Sequence, residues 1–225
     1  GRIGQFTFLM LMFFLMIVGI IYVEQGQRRI PIQFAKRVRG RKVMGGQSTY
    51  IPLKVNSAGV IPVIFATSIL FFPALVATSL PQDNSVTAAI RNWIDVNLAN
   101  SQGTTWFYIF FLGILIIFFT YFYTTIQFDP VRQSDMIRRQ GGFVPGVRPG
   151  ISTTNYLSHI INRITLPGSI FLASVAVLPS IASAIWDIPL GFSGISILIT
   201  VGVALETMKQ IESQLSMRNY EGFID

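Results

Sequence analysis

Residues 33–65 read QFAKRVRGRKVMGGQSTYIPLKVNSAGVIPVIF. The stretch opens as a dense basic segment, passes through a short alternating run and continues without a break into apolar sequence. Eight of the chain's seventeen Lys and Arg residues lie between Arg28 and Lys54, beside a single acid, Glu24. Basic residues collect on the side of a membrane across which they are not carried. The side taken by this segment therefore sets the orientation of every other segment.

The composition shows why a membrane is the frame. Of 225 residues, 51% are hydrophobic and 12% charged, where soluble domains carry about 25% charged residues. The apolar residues, 19 Phe among them, fall into five blocks. Each is long enough for a bilayer core of ~30 Å, which takes roughly 20 helical residues. The expected fold class is an all-α integral membrane protein with five transmembrane helices and a small cytoplasmic β-hairpin-like loop. Spans are expected at about residues 3–23, 57–80, 105–128, 164–185 and 191–208. Cytoplasmic loops are expected at 24–56 and 129–163, with a cytoplasmic tail at 209–225 that can extend the last helix. The chain starts at Gly1 and turns apolar at Ile3 without a basic leader or a small-residue cleavage site, which argues against a signal peptide and predicts a piece from within a longer protein.

The first loop carries two local patterns. Ile30, Ile32 and Phe34 alternate with other residues, and Val38 and Val43 flank Gly40. Together they predict a hairpin turning near Gly40, with Lys36, Arg37, Arg39, Arg41 and Lys42 around its tip. Ile51, Leu53 and Val55 alternate again, and Pro52 restricts that piece to an edge strand. Pro62 and Pro73 are expected to bend the second span, since each removes a backbone donor. Pro167 and Pro179 lie in the fourth span. Between the second and third spans, Val86, Ala89, Ile90, Trp93, Ile94 and Leu98 recur at helical spacing behind Ser85, predicting a short amphipathic helix on the membrane or over the spans. The second basic loop centres on GGFVPGVRPG (141–150), whose prolines and glycines present Arg148 at a kinked tip.

Orientation follows from charge. Fifteen of the seventeen Lys and Arg residues fall in the loops after the first and third spans and in the tail, leaving Arg2 and Arg91 for the opposite face. The start of the chain is therefore expected outside and its end in the cytoplasm.

Catalytic and metal chemistry find no support. With no cysteine, disulfides, thiolate zinc sites and a Cys nucleophile are excluded. His159 is alone and reads as a loop residue at a membrane surface. GRKVMGG lacks the GK[ST] ending of a phosphate loop, and GGFVPGVRPG is expected neither to follow a strand nor to open a helix at its last glycine, as a dinucleotide fingerprint does. The spans lack midplane ionisable groups of the kind ion-coupled transporters keep; Glu206, near the cytoplasmic end of the fifth, is the one acid within them. The basic loop has three readings: a topology signal, attraction to anionic lipid headgroups, or a docking surface for an acidic or RNA-bearing partner. Ile64 and Ile199 near the middles of two spans are packing or lipid-facing residues, or an apolar constriction that excludes water.

The strings AKRVRGRKVMGGQSTYIPLKVNSAGVIPVIFA and GGFVPGVRPG, with the short turn between the last two spans, resemble the C-terminal half of the SecY family, the channel subunits of the bacterial Sec translocon. The resemblance covers essentially the whole chain and implies spans six to ten of a ten-span pseudo-symmetric channel. It implies conduction of unfolded secretory proteins and lateral release of apolar segments into the bacterial cytoplasmic membrane, with the second span here on one side of a lateral gate. Ile64 and Ile199 resemble members of the family's apolar pore ring, and Phe72 and Pro62 lie on the gating helix. Lys36, Arg37, Arg39, Arg41, Lys42 and Lys54 lie in a loop resembling the ribosome- and SecA-docking loop, and Arg148 matches the arginine of a second one. The implied partners are SecE, SecG, the SecA motor or the ribosome, signal-bearing preproteins, membrane lipids and the N-terminal half of the same channel. No cofactor and no enzymatic activity are implied. The alternative from another class is half of a solute transporter whose basic loops bind anionic lipid.

Overall fold

A computed structural model describes residues 2–34, 37–39, 42–44, 48–79, 85–98, 105–186 and 193–221. In chain order these form α1 (Arg2–Gln25), β1 (Gln27–Phe34), β2 (Arg37–Arg39), β3 (Lys42–Met44), β4 (Ser48–Lys54), α2 (Ile61–Ser79), α3 (Ser85–Asn97), α4 (Trp106–Gln127), α5 (Pro130–Arg139), β5 (Gly142–Phe143), α6 (Ile151–Trp186) and α7 (Gly194–Glu221). Among the described residues, five helices are long and apolar enough to cross a membrane: α1, α2, α4, α6 and α7. Most of their large side chains, Phe14 and Phe110 among them, remain exposed. Hydrocarbon tails rather than water would surround such residues.

α6 is the spine. It packs on α4 and α7 and more lightly on α2. Its buried residues include Gly168, Ser169, Ala173, Ala176, Ala182 and Ser183. Small residues let helix backbones approach closely, which is how helices associate where lipid is as apolar as leucine. The resulting core joins Met16 and Ile20 of α1, Val63 and Leu70 of α2, Leu112 and Ile116 of α4, Leu172 of α6 and Leu198 of α7. Buried hydroxyls bond to their own helix: Thr120 Oγ1 donates to the Ile116 carbonyl at 2.7 Å, and Ser169 Oγ to that of Leu166 at 2.8 Å. Neither is left unsatisfied in an apolar surrounding.

A second, smaller core sits at one end of the bundle. β4, β1 and β5 form an antiparallel sheet in that order, with Ile30 opposite Ile51 and Gln33 opposite Phe143. Ile30, Ile32 and Leu53 bury against Ile137 of α5 and Leu157 and Ile160 of α6. β2 and β3 pair beyond the sheet, Val38 opposite Val43 and Arg39 opposite Lys42, so the chain turns where the hairpin was expected, although Gly40 and Arg41 lie outside the described residues. Pro52 lies on β4, an outer strand, where its missing N–H breaks no ladder.

The structure departs from the sequence reading in three places. Residues 129–163, expected as a loop, hold α5 and the first turns of α6. Asp129 caps α5 by accepting from the Val131 N–H at 2.9 Å, ahead of Pro130 at the first helical position. α6 begins at Ile151, well before the expected span, because Leu157, Ile160, Ile161 and Ile164 bury their side of the helix against the sheet, so a helix does open at the last glycine of GGFVPGVRPG, contrary to expectation. His159 is accordingly an exposed residue of a helix, not of a loop. Pro62 is the second residue of α2, where its lack of an N–H interrupts no helical bond; within α2 only Pro73 is interior. β5 is an unexpected strand. Gly142 allows it, since an added Cβ would lie 3.0 Å from Ile32 Cγ2 and 3.2 Å from Ile137 Cγ2.

Candidate functional site

α2 is apolar all round, but the chain covers one side of it. Val63, Ala66, Leu70, Ala74 and Ala77 bury against the bundle, while Ile61, Ile64, Phe65, Ile69, Phe72 and Leu75 are exposed. Both sets recur every three to four residues, so each is one helical face. α7 behaves likewise in its first turns, burying Ile197 and Leu198 while exposing Ile199 and Val203, and Ile64 lies in the first turn of α2, so neither isoleucine stands at the middle of its helix as the sequence suggested.

Where these two uncovered faces meet the sheet end, they line a single cleft of about 450 Å³. Ile61 and Ile64 of α2 and Ile199 and Val203 of α7 are its apolar lining, and Glu24, Lys54, Glu206 and Lys209 contribute its charges. Tyr123 and Gln127 reach it from α4. Ile64 is 45% and Ile199 38% exposed, so each retains free surface directed away from the packed core. Among the described residues no group of His, Cys, Asp and Glu could hold a metal ion. The lining sets branched aliphatic side chains of two helices beside four charged ones.

The cleft's position depends on how α2 is joined to the sheet. Val55 N donates to the Gly26 carbonyl at 3.0 Å, extending the β1–β4 pairing by one bond. The next residue, Asn56, is 6% exposed; its Nδ2 donates to Glu24 Oε2 at 3.0 Å and to the Gly59 carbonyl at 3.3 Å. Asn56 thereby ties the end of α1 to the turn that launches α2. Gly59 makes that turn at φ 65°, in the left-handed region that glycine enters without a steric penalty.

The remaining expected residues lie elsewhere. Phe72, 65% exposed, stands immediately before Pro73 on the uncovered face of α2, and Pro62 is buried in its first turn. Lys54 ends β4 and lines the cleft. Arg148 is exposed in the turn before α6, where its carbonyl accepts from Thr153 Oγ1 at 3.0 Å. Arg37, Arg39 and Lys42 lie on the β2–β3 hairpin by backbone, while their side chains, with Lys36 and Arg41, are outside the described residues. The structure thus brings Ile64, Ile199 and Lys54 to one cleft and places Phe72 and Arg148 apart from it. Sequence reading did not single out Glu24 and Asn56, which are 32 positions apart and meet through the fold. Glu24's standing as the lone acid beside the basic loop was the available signal.

This fold and cleft define a polytopic integral membrane protein: five apolar helices, a small basic sheet at one end, and two span faces left uncovered by the chain itself. Within that class, the chain belongs to the SecY family, whose model matches residues 2–208. Protein translocase subunit SecY of Streptomyces scabiei is 52% identical over 215 residues, covering 93% of this chain and 47% of that protein. The subunit of the same name from Mycobacterium tuberculosis is 49% identical over 218 residues, covering 93% of this chain and 48% of that protein. The chain spans about half the length of the curated relatives it matches. A solved structure described as "The structure of a protein conducting channel" superposes with TM-score 0.56 at 18% identity, over 89% of this chain and 47% of that one. At that identity the likeness is one of fold.

Proposed function

We propose that this chain forms one half of a protein-conducting channel, with Ile64 and Ile199 on its apolar constriction. The observation that carries the reading is the cleft: residues from α2 and α7, distant in sequence, expose branched aliphatic side chains into the same space. An apolar constriction resists wetting when empty, so it blocks ions without a fixed charge that would hold a passing side chain. It can close around an extended polypeptide and re-form afterwards. The uncovered face of α2, with Phe72 before Pro73, is where the other half of the channel would pack and where a lateral opening would form. Family membership favours this reading over a solute transporter.

In this reading the sheet end faces the cytoplasm. Its concentration of Lys and Arg supports that orientation. Lys54, Arg148 and the hairpin bearing Lys36, Arg37, Arg39, Arg41 and Lys42 form docking surfaces for the ribosome or SecA. Such a partner would supply the energy, and SecE, SecG and the N-terminal half would complete the pore.

The test is site-specific photocrosslinking in the full-length channel. Photoreactive residues at Ile64, Ile199 and, as a lipid-facing control, Phe118 are challenged with a secretory precursor arrested in transit. Adducts at Ile64 and Ile199 but not at Phe118 are expected. Equal yields at all three, or none at either isoleucine while the precursor is held, would remove the constriction assignment.

A further inference from the structure

α3 turns its apolar side away from the protein. Val86, Ile90, Trp93 and Val96 are exposed, and Val86 is 69% accessible. These positions recur at helical spacing and form one stripe. The half-covered residues Thr87, Ala88, Arg91 and Ile94 lie on the other side. A short helix packed as a soluble lid would place its most apolar stripe inward. Here the stripe points out, and the Arg91–Asp95 pair, 3.8 Å apart, lies off it.

The depth of this helix is fixed. Thr105 Oγ1, just before α4, donates to the Val96 carbonyl at 2.9 Å. The Trp93 ring meets Phe107, the second residue of α4, edge-on at 5.6 Å between centroids. Leu98 packs against the main core. α3 is therefore held level with the first turn of a membrane span, at the end of the bundle opposite the sheet. All three tryptophans of the chain occupy that end: Trp93, Trp106 as the first residue of α4 and Trp186 as the last of α6. Tryptophan collects at the level of lipid headgroups, where its ring is half in hydrocarbon.

We propose that α3 is an in-plane membrane anchor whose stripe of Val86, Ile90, Trp93 and Val96 inserts into the boundary between headgroups and acyl chains of that leaflet. The occupant is lipid because the stripe is uncharged, lies at span-end depth and continues the exposed apolar surface of Trp106, Phe107 and Phe110 on α4. Helices of this kind bury their apolar side about 5–10 Å into the interface. The anchor rests on the spans crossing a bilayer and is independent of what the protein conducts.

The absence of cysteine from this chain makes the test direct. Single cysteines at 86, 90, 92, 93, 95 and 96 of the full-length, otherwise cysteine-free protein are spin-labelled in phosphatidylethanolamine–phosphatidylglycerol vesicles. Power saturation by oxygen and by a nickel chelate then reports depth. The expected result is oxygen accessibility exceeding nickel accessibility at 86, 90, 93 and 96, with the order reversed at 92 and 95. Nickel access at all six would place the helix in water, and protection from both reagents along the stripe would place another part of the protein over it; either result overturns the anchor. With every other tryptophan of the full-length protein, Trp106 and Trp186 among them, replaced by Phe, Trp93 fluorescence gives an unlabelled check. Quenching should be stronger with lipids brominated near the headgroup than near the acyl terminus, and no quenching by either would also overturn it.

Discussion

Val63 and Ile64 are neighbours on α2 with opposite fates, and replacing each with asparagine separates packing from conduction. Val63 is fully buried in the main core, whereas Ile64 is 45% exposed and lines the cleft. An amide at 63 has only apolar neighbours to face. Leaving it without partners costs about 1–3 kcal/mol, before the lost packing contacts of the valine are counted. Membrane helices gain little from excluding lipid, so this packing is what holds α2 in place. An amide at 64 instead stands on the half-exposed lining of the cleft, and its effect on stability should stay within the ~0.5 kcal/mol of an ordinary surface change. On the proposed constriction its effect should be larger, because a polar side chain among branched aliphatics gives water a foothold.

The two variants should therefore separate in two assays on the full-length protein. In thermal unfolding, Val63→Asn should lower Tm clearly and Ile64→Asn should leave it close to the parent. In proteoliposomes, Ile64→Asn should raise ion leak and relax discrimination against defective signal sequences, and Ile199→Asn should do the same. The reasoning would be refuted by the reverse pattern, a leaky Val63→Asn of normal stability beside a destabilised, tight Ile64→Asn.

Glycine positions supply a second test. At Gly168 an added Cβ would lie 2.7 Å from the Val55 carbonyl oxygen, and at Gly194 it would meet backbone of Val175 and Ala176, whereas at Gly113 nothing lies within 4 Å. Gly168→Ala and Gly194→Ala should each lose about 1–3 kcal/mol through overpacking, and Gly113→Ala should be neutral or gain up to about 1 kcal/mol of helix propensity; equal Tm values for all three would dismiss the close approaches. At Asn56, replacement by Ala removes a donor to Glu24, but replacement by Asp sets a second carboxylate against it. Asn56→Asp should be the more destabilised of the two at neutral pH and should recover as pH falls, because the introduced carboxylate is pushed to a raised pKa and takes up a proton; indifference to pH would argue against the contact. Arg148→Glu should weaken SecA or ribosome docking roughly tenfold at low salt, with the difference shrinking as salt screens it. An effect independent of salt would indicate a structural role.

What could be read from the residues was set by contact range. The five apolar spans needed only run length, the β2–β3 hairpin needed Val38 and Val43 around a glycine, and α3 needed one helical period. α5 and the first turns of α6 were missed because span-finding rewards continuous apolarity. A half-polar helix lying on a sheet is stabilised by residues far away, here Ile30, Ile32 and Leu53. The cleft was half legible. Ile64 and Ile199 stood out through family motifs, but that they share a space with Glu24, Lys54 and Glu206 depends on the packing of four elements. β5 is two residues long, too short for any periodic signal.

The same packing divides the molecule mechanically. α6, with 36 residues at ~1.5 Å each, is long enough to belong to both cores, meeting the sheet through Leu157 and Ile160 and the spans through Leu172 and Val175. A partner docked at Arg148 or on the sheet would hold one continuous body that includes most of the bundle. α2 is attached differently. It packs mainly on α4 and only lightly on α6, and it leaves the sheet through a turn built on Asn56 and Gly59. Its interior is further weakened at Pro73, where one helical hydrogen bond is missing. A helix with one covered face, a glycine turn at its root and a proline beyond its midpoint can shift without dismantling the sheet or the α4–α6–α7 packing. That is what the proposed channel would require of a gate: a docking surface that stays rigid while the span beside the proposed constriction moves.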